Sequence, residues 1–185
     1  ISRAGYQMRR GGMLCENILE SNLVAQGYKI FHPQSENLKT QIATYRGAKM
    51  IVSPDNSALH LAAFVGTPDQ KVAIVLRRKY GAVDLFPQLT AFSGREPLII
   101  DAIEKIWAQE DRVPSTWGHY AEHSFETIHQ QLLENGFIQD DLPWRNIGPW
   151  LVKRAIAELE NRNGGALTAI SPNFNPPLMQ AHYFT

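Results

Sequence analysis

Between Met13 and Lys79 the chain alternates two kinds of apolar pattern, and this alternation narrows the fold more than any other feature. "MLCENILESNLVAQG" spaces Leu14, Ile18, Leu19 and Leu23 for one helix face, with Gly27 placed as a terminator. "YKIFHP" reads as a short strand stopped by Pro33. "NLKTQIATYRG" repeats the helical stripe through Leu38, Ile42 and Tyr45, with Asn37 as N-cap and Gly47 as a second terminating glycine. "AKMIVS" and "KVAIVL" are continuous rather than alternating, as strands covered on both faces must be. Between them, "SALHLAAFVG" predicts a third helix ending at Gly66. Strands and helices linked by short turns predict an α/β fold, with a Rossmann-like parallel sheet flanked by helices.

Beyond Arg77 the pattern is looser. "PLII" at Pro97–Ile100 predicts one more strand, followed by a short helix through Ile103 and Trp107. Pro114 to Gly118 reads as a boundary, dividing residues 1–113 from an extension over 114–185. That extension predicts one helix through Phe125, Ile128 and Leu132 and another through Val152, Ile156 and Leu159, then an irregular tail rich in Pro and Asn.

Bulk properties exclude several classes. The 185 residues carry 18 basic and 18 acidic side chains, so net charge gives no support to a nucleic-acid partner. Hydrophobic residues make up 44%, enough for a packed core, but no apolar run approaches the ~20 residues of a membrane span. A lone cysteine, Cys15, rules out an internal disulfide framework and suits a reducing, cytoplasmic setting, with peripheral membrane association left open. The opening "ISRAG", lacking an initiator Met, reads as part of something longer.

The segment "SPDNSALH" sits where a buried strand meets a buried helix. Ligands of open parallel sheets bind beyond the carboxyl ends of the strands, and a helix start offers unpaired N–H groups to an anion. The small residues Asn56, Ser57 and Ala58 would let a ligand approach the backbone, Ser53 is a further binding candidate, and His60, one turn inside the helix, could reach the same oxygen atoms. The plainer reading is an N-cap with nothing bound.

These residues also resemble a known family. "ISR" at Ile1–Arg3, Arg9 or Arg10, Glu16-Asn17, "GYKIFHP", "LKTQI" with Gln41, and "AKMIVS" followed by "PDNSALH" together resemble the glycosyltransferase family 61 domain of capsular-polysaccharide and related enzymes. Asn56 stands where that family usually has glycine, a position expected to demand a left-handed backbone or close approach. The resemblance implies transfer of a sugar, with inversion, from a nucleotide-sugar donor to a glycan acceptor, with no metal or other cofactor. This chain would be the C-terminal half of a GT-B-type enzyme whose N-terminal Rossmann-like half lies elsewhere. Arg3, Arg9, Arg10 and the "SPDNSALH" terminus would stabilise the departing diphosphate. Glu16 would contact the ribose or tether the Arg3 loop, and Gln41 would join two loops. Asp55 is a candidate base, the missing half being the other source. A non-catalytic nucleotide- or glycan-binding module is the alternative.

"HYAEH" (His119–His123) matches a zinc-peptidase pattern that would need a helix to bring His119 and His123 onto one face, with Glu122 as base and Glu158 as a distant ligand. Trp107, Trp117, Trp144 and Trp150 suggest a sugar platform or, more simply, helix packing. "LRRKYG" reads as a solvated strand end or a phosphate-seeking loop, and His32 as an exposed strand terminus.

Overall fold

A computed structural model of the chain describes residues 1–4, 10–113 and 118–173. The fold is α/β and Rossmann-like, with parallel strands flanked, among the described residues, by six helices. Strand β1 (Gly12–Met13) leads into α1 (Glu16–Ala25), then α2 (Leu38–Gly47), β2 (Met50–Pro54), α3 (Ala58–Val65) and β3 (Lys71–Val75). Next come α4 (Leu85–Ser93), β4 (Leu98–Ile100), β5 (Ile103–Ala108), β6 (Tyr120–His123), α5 (Phe125–Glu134), α6 (Pro149–Asn163) and β7 (Thr168–Ile170).

Strands β2, β3 and β4 form a parallel sheet in that order, with Val52 opposite Ala73 and Val75 opposite Ile100. Alternate side chains of a strand point to opposite faces. Here both faces are covered, which explains the continuous apolar runs. Val52, Ala73, Val75 and Ile100 pack with Ile18, Leu19 and Leu23 of α1 and with Phe125, Ile128 and Leu132 of α5. Ile51, Val72, Ile74 and Leu76 pack with Tyr45 of α2, with Leu59, Ala62 and Ala63 of α3, and with Leu85 and Leu89 of α4. A second, mixed sheet runs β1-β6-β5-β7 and carries α6 through a cluster of Leu14, Tyr120, Val152 and Leu167.

The expected stops are present where the backbone demands them. Gly27, Gly136 and Gly164 terminate α1, α5 and α6 with φ of 86°, 66° and 71°. Asn37 caps α2 by accepting the Thr40 N–H at 2.9 Å.

Four local expectations are corrected. "YKIFHP" is extended but pairs as no regular strand, although the Ser2 N–H donates to the Phe31 carbonyl at 2.9 Å and the Ile1 nitrogen to the Val52 carbonyl at 2.9 Å. Residues 1 and 2 thereby bridge Phe31 and β2 by one backbone bond to each. The helix expected through Ile103 and Trp107 is strand β5, because β6 and β7 pair with it antiparallel on either side. "HYAEH" contributes strand β6 rather than a helix. Gly47 lies within α2 instead of ending it in the left-handed region. Helix α4 had no counterpart in the sequence reading. Helices α5 and α6 are where the sequence places them, accompanied by β6 and β7. Among the described residues, no helix is long and apolar enough to cross a membrane.

Candidate functional site

The β2–α3 corner is built from the side chains of its own turn. Ser53 and Asp55 are fully buried and Asn56 nearly so. The Asn56 side chain donates to Ser53 Oγ at 2.8 Å and to the Pro54 carbonyl at 2.6 Å, and its oxygen accepts the Ala58 N–H at 2.9 Å. Asn56 is thus the residue that caps α3. Its backbone is not left-handed: Cys15, at φ 57°, is the one non-glycine with positive φ among the described residues. This corrects the expectation drawn from its replacing a glycine. Ser57 and His60 are exposed, His60 pairing through Nδ1 with the Gln88 side-chain oxygen.

Asp55 faces inward. Its Oδ1 accepts the Arg77 N–H at 2.6 Å, and its Oδ2 lies 3.0 Å from Arg78 Nε and 3.6 Å from Arg77 Nε. Arg77 Nε also donates to the Asp55 carbonyl at 2.9 Å. Gly81 closes the last side: a Cβ there would collide with the carboxylate. Burial pulls the Arg77 guanidinium down to about 10, opposed by the Asp55 charge, so it stays protonated at neutral pH. Asp55 is therefore the counter-ion that anchors two arginines, with no open path to a bound hydroxyl.

Arg3 opens onto a different surface. A cleft of about 440 Å³ is bounded by Arg3, by the stretch from Gly11 through the start of α1, and by one face of α6. Gly11 (φ 63°) and Cys15 (φ 57°) are both left-handed, so the chain turns sharply on each side of β1 and lays its backbone along the cleft floor. The N-cap residue of α1, Cys15, makes no side-chain capping bond, and the first residues of the helix, Glu16 and Asn17, line the cleft. Glu16 Oε1 accepts from Ser2 Oγ at 3.0 Å and from the Arg3 N–H at 2.6 Å, which is the tether foreseen for this residue. Burial raises the Glu16 carboxyl above its ordinary value, with the two hydrogen bonds opposing. Burial also raises the Cys15 thiol, reinforced by Glu122 and Glu158.

The cleft holds four arginines, Arg3, Arg145, Arg154 and Arg162, against two carboxylates, Glu16 and Glu158. A chain of zero net charge therefore concentrates positive charge at one place. Arg3 Nη2 donates to the Arg10 carbonyl at 3.4 Å. Arg9 and Trp117 lie outside the described residues. None of residues 53 to 60 lines this cleft, so among the described residues the α3 terminus does not share it with Arg3.

The other candidates resolve simply. Gln41 Nε2 donates to the Pro33 and Glu36 carbonyls, both at 2.9 Å, so it pins the one turn before α2 where a link between two loops was expected. His119 precedes strand β6 and His123 ends it, so about 13 Å of extended chain separates them where one helical turn was expected. His123 is buried, donates to the Leu76 carbonyl at 2.7 Å and is held neutral by burial. Glu122 accepts from Trp107 Nε1 at 2.9 Å. The one-turn spacing that a peptidase site requires is not formed, and among the described residues no group of three His, Cys, Asp or Glu could hold a metal. Trp144 donates to the Phe125 carbonyl at 3.0 Å, a packing role, whereas Trp150 is 68% exposed.

Sequence reasoning missed Arg145, Arg154 and Arg162. The last two repeat at helical spacing with Glu158, a signal that reads as an ordinary solvated face until α6 is seen opposite α1.

No curated protein and no solved structure matches the chain. The family model described as Glycosyltransferase 61 does match residues 1–74, bearing out the resemblance over the stretch that carries Arg3, Glu16, Gln41 and the β2–α3 corner, and it supports a glycosyltransferase.

Proposed function

We propose that the chain binds a nucleotide-sugar donor in the Arg3 cleft and passes the sugar, with inversion, to a hydroxyl of a glycan or glycoconjugate acceptor in polysaccharide biosynthesis. The observation that carries this reading is the 440 Å³ cleft at the start of α1, edged by four arginines, within and beside the stretch that matches the family. Such a volume suits a nucleoside diphosphate. Departure of the diphosphate develops negative charge on its oxygens. Guanidinium forks along the cleft would meet that charge, with the start of α1 beside them.

In this reading the arginines neutralise the leaving group, and no divalent ion is required. Glu16 fixes Arg3 through its backbone N–H, and Asp55 fixes Arg77 and Arg78 instead of acting as base. The base then comes from the acceptor side, in a GT-B-type partner half. The setting is cytoplasmic, at or near the inner face of the membrane.

Titration calorimetry with uridine, guanosine and cytidine diphosphates tests the donor site. One of the three is expected to bind, and Arg3→Ala is expected to weaken it about tenfold, one charge-assisted phosphate contact. Binding of none overturns the reading. Transfer by the full-length protein separates an enzyme from a binding module; binding without transfer or donor hydrolysis would favour the module.

A further inference from the structure

The cleft wall that faces α1 is helix α6, which lies wholly outside the matched residues 1–74. Leu151, Arg154, Ala155, Glu158, Leu159 and Arg162 all line the cleft, at intervals of three and four, so one face of the helix is turned toward it. Ala155 and Leu159 pack against the Leu14–Tyr120–Val152–Leu167 cluster and fix the rotation of the helix. The charged members are exposed at the rim. Arg154 is 62% exposed and Glu158 56%, joined by an Nε–Oε1 contact of 2.9 Å, with the Arg154 guanidinium 5.8 Å from the Trp150 ring centre.

An exposed pair one turn apart adds little to stability, so exchanging Glu158 for another anion is easy. Arg162 follows Arg154 by eight residues, about 12 Å along the axis. The two arginines can therefore reach a diphosphate from both ends while Arg3 meets it from across the cleft. Glu158 lies between them and presents like charge to the same ligand.

We propose that α6 is the gripping wall of the cleft: Arg154 and Arg162 close on the diphosphate of a nucleoside diphosphate held against Arg3, and Glu158 competes with that diphosphate for Arg154. This rests on the donor reading above and extends it to a helix with no part in the family match. Binding exchanges one ion pair for another, Arg154–carboxylate for Arg154–phosphate. Glu158 thereby sets an upper limit on affinity, a property suited to a site that must release its nucleotide product.

The test is calorimetry on the full chain, with the three nucleoside diphosphates, the matching nucleosides and inorganic pyrophosphate as probes. Arg154→Gln and Arg162→Gln are expected to weaken diphosphate binding about tenfold each, leaving nucleoside binding and the unliganded melting temperature unchanged. Glu158→Gln is expected to tighten diphosphate binding about threefold, which a merely structural role would not do. Wild-type affinity in both arginine variants, or unaltered affinity in Glu158→Gln, overturns the proposal. If Arg3→Ala alone weakens binding, α6 is not the wall and the donor reading stands. If pyrophosphate binds through α6 with no preference among nucleotides, the wall stands and the nucleotide reading falls. If no diphosphate binds the wild type, both fall.

Discussion

Glu16 shows how one side chain serves both the fold and the site. Its carboxylate is nine-tenths buried, yet its oxygen gathers the Ser2 hydroxyl and the Arg3 N–H, so Arg3 is aimed by its own backbone. Because burial raises its pKa, the folded state holds the Glu16 proton more tightly than the unfolded chain does. Its contribution is then greatest below the ordinary carboxyl value, near 4.5, and is lost as pH rises through the folded value. Glu16→Gln keeps an oxygen for both bonds and cannot ionise. Urea midpoints should show the variant gaining on wild type between pH 4 and pH 8, by about 1.4 kcal/mol for each unit of the raised pKa. Parallel stability curves would show that the carboxyl is not strained by burial.

Among the elements, α3 depends on a single capping side chain. Its sequence is strongly apolar, so packing on the sheet holds the helix while Asn56 satisfies its first N–H and fixes the turn from β2. Asn56→Ala should cost about 2 kcal/mol, from the lost cap together with the two bonds its Nδ2 donates to Ser53 Oγ and the Pro54 carbonyl, which keep their bond to each other. Equilibrium unfolding measures the loss, and faster hydrogen exchange at the Ala58 and Leu59 amides should accompany it. A loss below about 0.3 kcal/mol would mean that the corner is held by packing alone.

The elements also differ in how plainly the sequence announces them. Helices α1, α2 and α3 and strands β2 and β3 each carry an apolar period and a polar or glycine stop, so all five were legible. Strand β5 was not, because "IEKIWA" spaces Ile103, Ile106 and Trp107 as a helix would; pairing with β6 and β7 overrides that local pattern. Strand β1 has only two residues and exists because β6 lies beside it. At the cleft, Arg3 and Glu16 were legible through the family resemblance. The α6 arginines were hidden, because a charged stripe on one helix says nothing of what stands across from it.

At the scale of the whole molecule, the two sheets meet where β4 passes into β5 through Asp101-Ala102, with Ala102 buried in the main core. One face of the parallel sheet also takes its cover from α5, far along the chain. The division suggested by Pro114–Gly118 thus runs through a continuous body of packed strands and helices. Strand β5 lies in the middle of the mixed sheet, before that division, while both of its neighbours come after it.

A fragment ending at residue 113 would therefore present a naked ribbon, open to hydrogen bonding along both flanks and stripped of the α5 cover over Val52 and Val75. Exposed strand flanks recruit other chains. Such a fragment should sediment as aggregate when expressed by itself; recovery as a folded monomer would show that the early strands do not depend on the later ones. For anyone wishing to trim this protein, the natural scissors-mark in its sequence is the wrong place to cut.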